Sequence, residues 1–212
     1  YSNFVTELHT DELDELLRAL GQQESTANGG ATDVVLSLQW PGSPAQFTLK
    51  RVSGVVDVRS VNGELVDIKP GATGRLVGFL MITALPRRLK LDFSDLFRSG
   101  IAYELIDGRF ALEDGHAYTN NLLIDSETAK IEISGRTGLI AEDYDKVVTI
   151  TPKLASSLPL APVWLLEKLI QREIFDKTFS YQYTITGGWD DPKIERVAIK
   201  TESKVDDEQS GR

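Results

Sequence analysis

Cysteine is absent from this 212-residue chain, and histidine occurs only at His9 and His116. Without thiols there is no disulfide framework and no thiolate nucleophile. A zinc site would have to be built from two imidazoles and carboxylates. Neither histidine stands in an HExxH arrangement, and no GxSxG elbow occurs. Positive charge is also short: 23 Lys and Arg face 32 Asp and Glu, a net charge of -9. No basic stripe is left to neutralise phosphates, so nucleic acid is not an expected partner. No apolar run reaches the roughly 20 residues of a membrane-spanning helix. The chain begins at Tyr1 rather than Met, without a signal peptide. It reads as a fragment of a longer protein whose targeting or anchoring segment lies outside it.

What is present is an ordinary globular composition, 41% hydrophobic and 26% charged. The length supports a sizeable core in one domain or two closely joined halves. The N-terminal segment TDELDELLRALG, residues 10–21, predicts a helix. Thr10 can accept from first-turn amides, acids crowd the N-terminal end, and Gly21 stops it. Leu13, Leu16, Leu17 and Leu20 form its apolar stripe, read as core packing. With a loop over 22–32 this makes an N-terminal unit, 1–32.

From Asp33 onward a period of two dominates. Val34, Leu36 and Leu38 alternate with Val35, Ser37 and Gln39; Phe47 and Leu49 follow a Pro-Gly-Ser-Pro turn; Val56 and Val58 lead to an expected hairpin at Asn62-Gly63. Further strands are predicted at 89–93, 101–106, 109–112, 117–124, 130–134, 147–151, 180–186 and 194–199, with turns at Asp107-Gly108 and Asp114-Gly115. The gaps are too short for crossover helices, so an antiparallel meander is the economical arrangement. An apolar residue, a spacer and a glycine recur at Val52–Gly54, Ile106–Gly108, Ile133–Gly135 and Ile185–Gly187. This fits either recurring turns or a repeated sheet that extends like a gutter.

Two segments break the alternation. Residues 76–86, LVGFLMITALP, are eleven without a charge, between Arg75 and the pair Arg87–Arg88. A short apolar helix there, near 73–85, suggests a plug, a lid or a membrane-facing element. Residues 162–175, PVWLLEKLIQREIF, predict a second helix with Val163, Leu166, Leu169 and Ile170 on one face and Trp164 widening it. Residues 201–212 are polar and expected to be disordered. The polar clusters read as solvated: Glu113, Asp114 and His116 on one turn, Asp190 and Asp191 before Pro192 on another. Acid pairs such as Asp92 with Asp95 have no histidine or metal frame, so no catalytic residue, metal or cofactor is expected.

The run LQWPGSP, then GELVDIKPGATGRLVGFL and LPRRLKLDFSDLFRSG, resembles the C-terminal region of the YhdP family of AsmA-like envelope proteins. DGHAYTNNLLID, AKIEISGRTGL, VTITPKLASSLPL and YQYTITGGWDDPKIERV match in the same order, so the resemblance covers about 33–197. It implies a non-enzymatic, bridge-like lipid-transfer protein, anchored in the inner membrane of a Gram-negative bacterium, with its bulk in the periplasm. Its implied fold is mainly β with a few helices: an extended, curved antiparallel sheet, a half-open gutter over 33–200, capped by amphipathic helices. Phospholipid would move along the apolar groove towards the outer membrane and sustain its barrier. The charged Glu167, Lys168, Arg172 and Glu173 depart from the family's more apolar segment.

On this reading the groove is lined by Leu89, Leu91, Phe93, Ile101, Tyr103, Leu105, Leu122, Ile124, Ile131 and Ile133. An ordinary sheet core would show the same alternation. Leu76, Val77, Phe79, Leu80 and Met81, with Val163, Trp164, Leu166, Leu169 and Ile170, are candidates for plug or membrane contact, at the inner leaflet of the outer membrane. Arg87 and Arg88 are candidate headgroup contacts, since guanidinium forks match phosphate. The competing expectation is an interaction module whose helices dock the parent protein to an outer-membrane or periplasmic partner.

Overall fold

The computed structural model describes residues 1–19, 27–65, 101–153 and 180–197. Among them the chain forms nine strands and one α-helix: β1 (Ser2–Thr10), α1 (Leu13–Ala19), β2 (Ala27–Trp40), β3 (Ser53–Leu65), β4 (Ile101–Glu113), β5 (His116–Asp125), β6 (Ala129–Gly138), β7 (Asp143–Pro152), β8 (Tyr181–Gly188) and β9 (Lys193–Val197). Each strand pairs antiparallel with the next in chain order, giving one sheet that runs from β1 to β9. β1 and β9 are its two edges, so the sheet is not closed into a barrel. This is the mainly β, antiparallel meander that the alternation predicted.

Residues paired across adjacent strands point to the same face. Leu36 pairs with Val56, and Val56 with Phe110; Ile106 pairs with Ile124, Ile124 with Ile131, and Ile131 with Ile150. One face is therefore predominantly apolar, and from β2 to β8 its large apolar side chains are buried or partly buried. The other face is charged. Arg109 holds Asp57 with Nε–Oδ1 at 2.6 Å, Arg59 reaches Asp107 at 3.2 Å, and Lys153 reaches Asp125 at 2.7 Å. The Arg109 hydrogen bonds hold the Asp57 carboxyl below its ordinary range. These exposed pairs set register more than stability.

Several turns expected from sequence lie inside strands. Asn62-Gly63 is an interior step of β3, and Asp107-Gly108 an interior step of β4. The dipeptide signal is the same for a hairpin and for a strand irregularity, and pairing with both neighbours decides between them. The recurring Gly54, Gly108, Gly135 and Gly187 also sit within strands rather than in turns. Asp114-Gly115 is a true two-residue hairpin loop: Glu113 pairs with His116, and both loop residues have positive φ, 49° and 76°. Phe47 and Leu49 belong to the β2–β3 connection, not to a strand, because a short 3₁₀ turn at Pro44–Gln46 redirects the chain. The helix predicted over 10–21 is α1, where the Thr10 hydroxyl accepts from the Glu12 amide at 3.2 Å. The strand before it, β1, has no counterpart among the strands predicted from sequence.

At Gly29-Gly30 and Asn62-Gly63 the alternation shifts by one residue, so that Thr32, Ser60 and Tyr103 all reach the buried face. Gly30 has φ +87° and Asn62 φ 56°. The Tyr103 ring lies over the two glycines, and its hydroxyl shares a hydrogen bond with Ser60 Oγ at 2.8 Å. Ser60 Oγ in turn meets Thr32 Oγ1 at 2.7 Å, and Thr32 donates to the Gly30 carbonyl at 2.8 Å. Burial pushes the Tyr103 hydroxyl above its ordinary pKa, partly countered by Ser60. Tyr103→Phe ends this chain at Ser60, and a loss of about 1–2 kcal/mol is expected in urea denaturation.

Candidate functional site: an apolar sheet face with one buried lysine

The apolar face starts at β1 and β2, where α1 packs on it. Leu13 and Leu17 point into the sheet because positions four apart share one side of a helix. From the other direction the β2–β3 connection brings Phe47, Leu49 and Val52 onto the same face. Phe47 meets Trp40 edge-on, with ring centroids 5.1 Å apart. Between them is a cleft of about 140 Å³, lined by Leu8, Leu13, Leu16, Leu17, Val34, Leu36, Leu38, Phe47, Leu49, Val52, Val56, Val58, Phe110 and Leu112. Every one of these side chains is hydrocarbon. The cleft can hold apolar chains and offers nothing that could polarise a bond. Among the described residues no cluster of His, Asp or Glu could hold a metal ion. No helix among them is long and apolar enough to cross a membrane.

Further along, the same face carries Tyr103, Ile106, Leu122, Ile124, Ile131, Ile133, Val148, Ile150, Tyr183 and Ile185, all buried. Ile101 is partly buried beside them, paired with Leu65. Six of the ten residues predicted to line the groove thus share one face: Ile101, Tyr103, Leu122, Ile124, Ile131 and Ile133. Leu105 does not. The shift in alternation turns it to the charged face, where it pairs with Asp125. Leu89, Leu91 and Phe93 lie outside the described residues, as do Arg87, Arg88 and both apolar segments expected to plug the groove or touch membrane.

One buried residue of this face is neither apolar nor neutral. Lys146 is 4% exposed, on β7 between Tyr144 and Val148, and pairs with Gly135 and Ile185. Its ammonium lies 5.1 Å from the Tyr144 ring centroid, and that ring stacks on Trp189. Burial alone lowers its pKa from 10.5 to about 8. Sequence reasoning misses it because the predicted strand starts at Val147, four residues after the start of β7, and leaves Lys146 out. The alternation Tyr144, Lys146, Val148, Ile150 is the signal that would find it. The cleft residues are legible as separate stripes, but nothing local in the sequence brings Leu13, Phe47 and Val56 together.

At the hairpin ends Arg136 binds Asp143 with two parallel bonds of 2.8 and 2.9 Å, and His116 Nδ1 lies 3.2 Å from the same guanidinium. The Arg136 hydrogen bonds hold Asp143 below its ordinary range. This is a partly buried ion pair between the ends of β6 and β7, and His116 beside it is the first residue of β5, half-buried, rather than part of the turn.

The sequence model of a family described as "YhdP protein" matches residues 1–194. Over 175 residues the chain is 26% identical to a protein of Escherichia coli (strain K12) named "Intermembrane phospholipid transporter YhdP", an alignment covering 78% of this chain. It spans only 14% of that relative's length. No solved structure matches.

Proposed function

The chain belongs to the YhdP family, and from that premise we propose that it is a non-enzymatic stretch of an intermembrane phospholipid path. In this reading it is a C-terminal, periplasmic portion of an inner-membrane-anchored protein of a Gram-negative bacterium. Phospholipid passes along its apolar face towards the outer membrane, whose barrier the transport maintains. The observation that supports this best is the one-sided sheet. Nine strands keep one face predominantly apolar, and its β1–β4 end holds a cleft with a wholly hydrocarbon wall. Each methylene moved from water onto such a wall gains about 0.8 kcal/mol, so acyl chains are held without covalent chemistry. The name of the relative, an intermembrane phospholipid transporter, fits that chemistry.

Ile124 and Ile150 have no solvent exposure. An acyl chain reaching them needs side chains to part, whereas the cleft already has room. Lipid contact is therefore expected first at the cleft. A photo-crosslinking residue at Leu36 tests this against one at Val35, its neighbour on the charged face. After expression in a Gram-negative envelope, phospholipid should be captured from position 36 and not from 35. Equal capture at both, or none at 36 with no phospholipid in the organic extract, overturns the proposal.

A further inference from the structure

The outer face of the sheet bears both signs of charge and the apolar face, among the described residues, only cations, and the role assigned to one of these cations rests on the apolar face being a lipid path. The carboxylates of the strands, from Glu7 and Asp33 through Asp107 and Glu132 to Asp145 and Glu195, fall at the parity of the outer, charged face. Among the described residues the apolar face has two charged positions, Lys146 on β7 and Arg196 on the edge strand β9, and both are cationic. Arg196 lies over the Tyr181 ring at 4.8 Å and is exposed. Lys146 is buried, and among the described residues no carboxylate approaches it.

A buried ammonium with no carboxylate beside it among the described residues is costly, and packing alone gives no reason to keep one. Its position gives one. Lys146 stands level with the cleft along the strands: Leu36, Val56 and Phe110 are paired in one row, and Thr119, Gly135 and Lys146 in another, with the Ala111–Tyr118 pair joining the two. From Phe110 on β4 to Lys146 on β7 is three strand spacings, about 14 Å. Half the hydrocarbon core of a bilayer, the depth one acyl chain fills, is about 15 Å. Gly135 contributes no side chain to the row, and Thr119 supplies a hydroxyl.

We infer that Lys146 is the docking point for the phosphodiester of a phospholipid lying on the apolar face, with its acyl chains crossing β6 and β5 to the cleft beside Phe110. The ligand class is an amphiphile with an anionic phosphate. The bound phosphate supplies a counter-charge that no described carboxylate supplies, and Arg196 sits on the same face at the β9 edge.

The test uses the 212-residue chain, a fluorescent phosphatidylglycerol, the fluorescent diacylglycerol with the same chains, and inorganic phosphate as competitor. Lys146→Met is expected to weaken phosphatidylglycerol binding about tenfold or more, the worth of one charge-assisted contact. It should leave diacylglycerol binding unchanged, and Lys146→Arg should keep most of the affinity. In the unsubstituted chain with labelled lysine, the Lys146 Cε resonance should move with phosphatidylglycerol and stay put with diacylglycerol. Equal loss of both probes in Lys146→Met, no loss of either, or an unmoved resonance overturns the assignment while the groove reading stands. Displacement of phosphatidylglycerol by millimolar phosphate, with the same resonance shift, overturns the lipid as source in favour of free phosphate. Failure of the unsubstituted chain to bind either probe removes the groove reading itself.

Discussion

Lys146→Met is expected to raise the melting temperature at pH 7 by roughly 6–12 °C. In the folded chain burial lowers the Lys146 pKa from 10.5 to about 8. A depressed lysine means that between those values the unfolded chain holds the proton and the folded chain does not. Stability therefore rises with pH through that window, and below its lower end the folded state bears the full cost of a buried charge. A tenfold change in proton affinity is worth about 1.4 kcal/mol, so the buried charge costs about 3 kcal/mol at pH 7. Methionine has a similar length and no charge, and removes that cost. The pH dependence separates this from better packing. The advantage of Lys146→Met over the unsubstituted chain should shrink steadily as pH rises from about 7 to about 9.5. That range stays below the titration of Tyr144, which burial pushes up to about 12. A gap that stays constant with pH would show that Lys146 is not charged at the start. A variant that gains stability while losing an anionic ligand is the familiar exchange of function for stability at a strained site.

The second large effect is in the opposite direction. Gly30→Val is expected to cost about 4 kcal/mol, enough to lower the melting temperature by roughly 8–16 °C. Two contributions add. At φ +87° a β-branched residue is strained whatever the space around it. A Cβ there would also come within 2.3 Å of the Tyr103 hydroxyl and 3.0 Å of Ser60 Oγ, both buried and hydrogen-bonded to each other. Gly63→Ala isolates the steric part, since Gly63 faces the same ring with its Cβ position 2.4 Å from the hydroxyl and 2.9 Å from Gly30 Cα. A double-mutant cycle of Gly63→Ala with Tyr103→Leu should show coupling, because the smaller side chain vacates the space that the new methyl needs. Additive losses in denaturant titrations would mean that the ring does not brace the shift in alternation.

Much of the fold was written in local patterns. The strict alternation of Val34, Leu36 and Leu38 and of Ile131 and Ile133 determined strands with one apolar face, because side chains two apart on a pleated strand must share a side. Short gaps determined antiparallel neighbours, and Asp114-Gly115 determined a hairpin, because positive φ at both positions suits that dipeptide. The absence of cysteine removed disulfides and thiolate chemistry. The segments quoted for the family resemblance fixed the family.

What only the tertiary structure decided was phase and company. Asn62-Gly63 and Asp107-Gly108 carry a turn signal, yet both are strand interior, because hydrogen bonding to two neighbours outweighs a dipeptide preference. The shift at Gly30 and Asn62 moved Leu105 to the charged face and kept Tyr103 on the apolar one; one added residue reverses every side chain beyond it. Leu13, Phe47 and Phe110 are far apart in sequence, and the pairing of β2 with β3 and β3 with β4 brings them to one cleft. A lysine in a sequence is a surface residue by default. Only its place in a row with Gly135 and Ile185, on a face that bears no carboxylate among the described residues, makes Lys146 a buried cation. Sequence determines which residues alternate; the neighbours that solvate or strand a charge are set by strands remote in the chain, and no local pattern holds them.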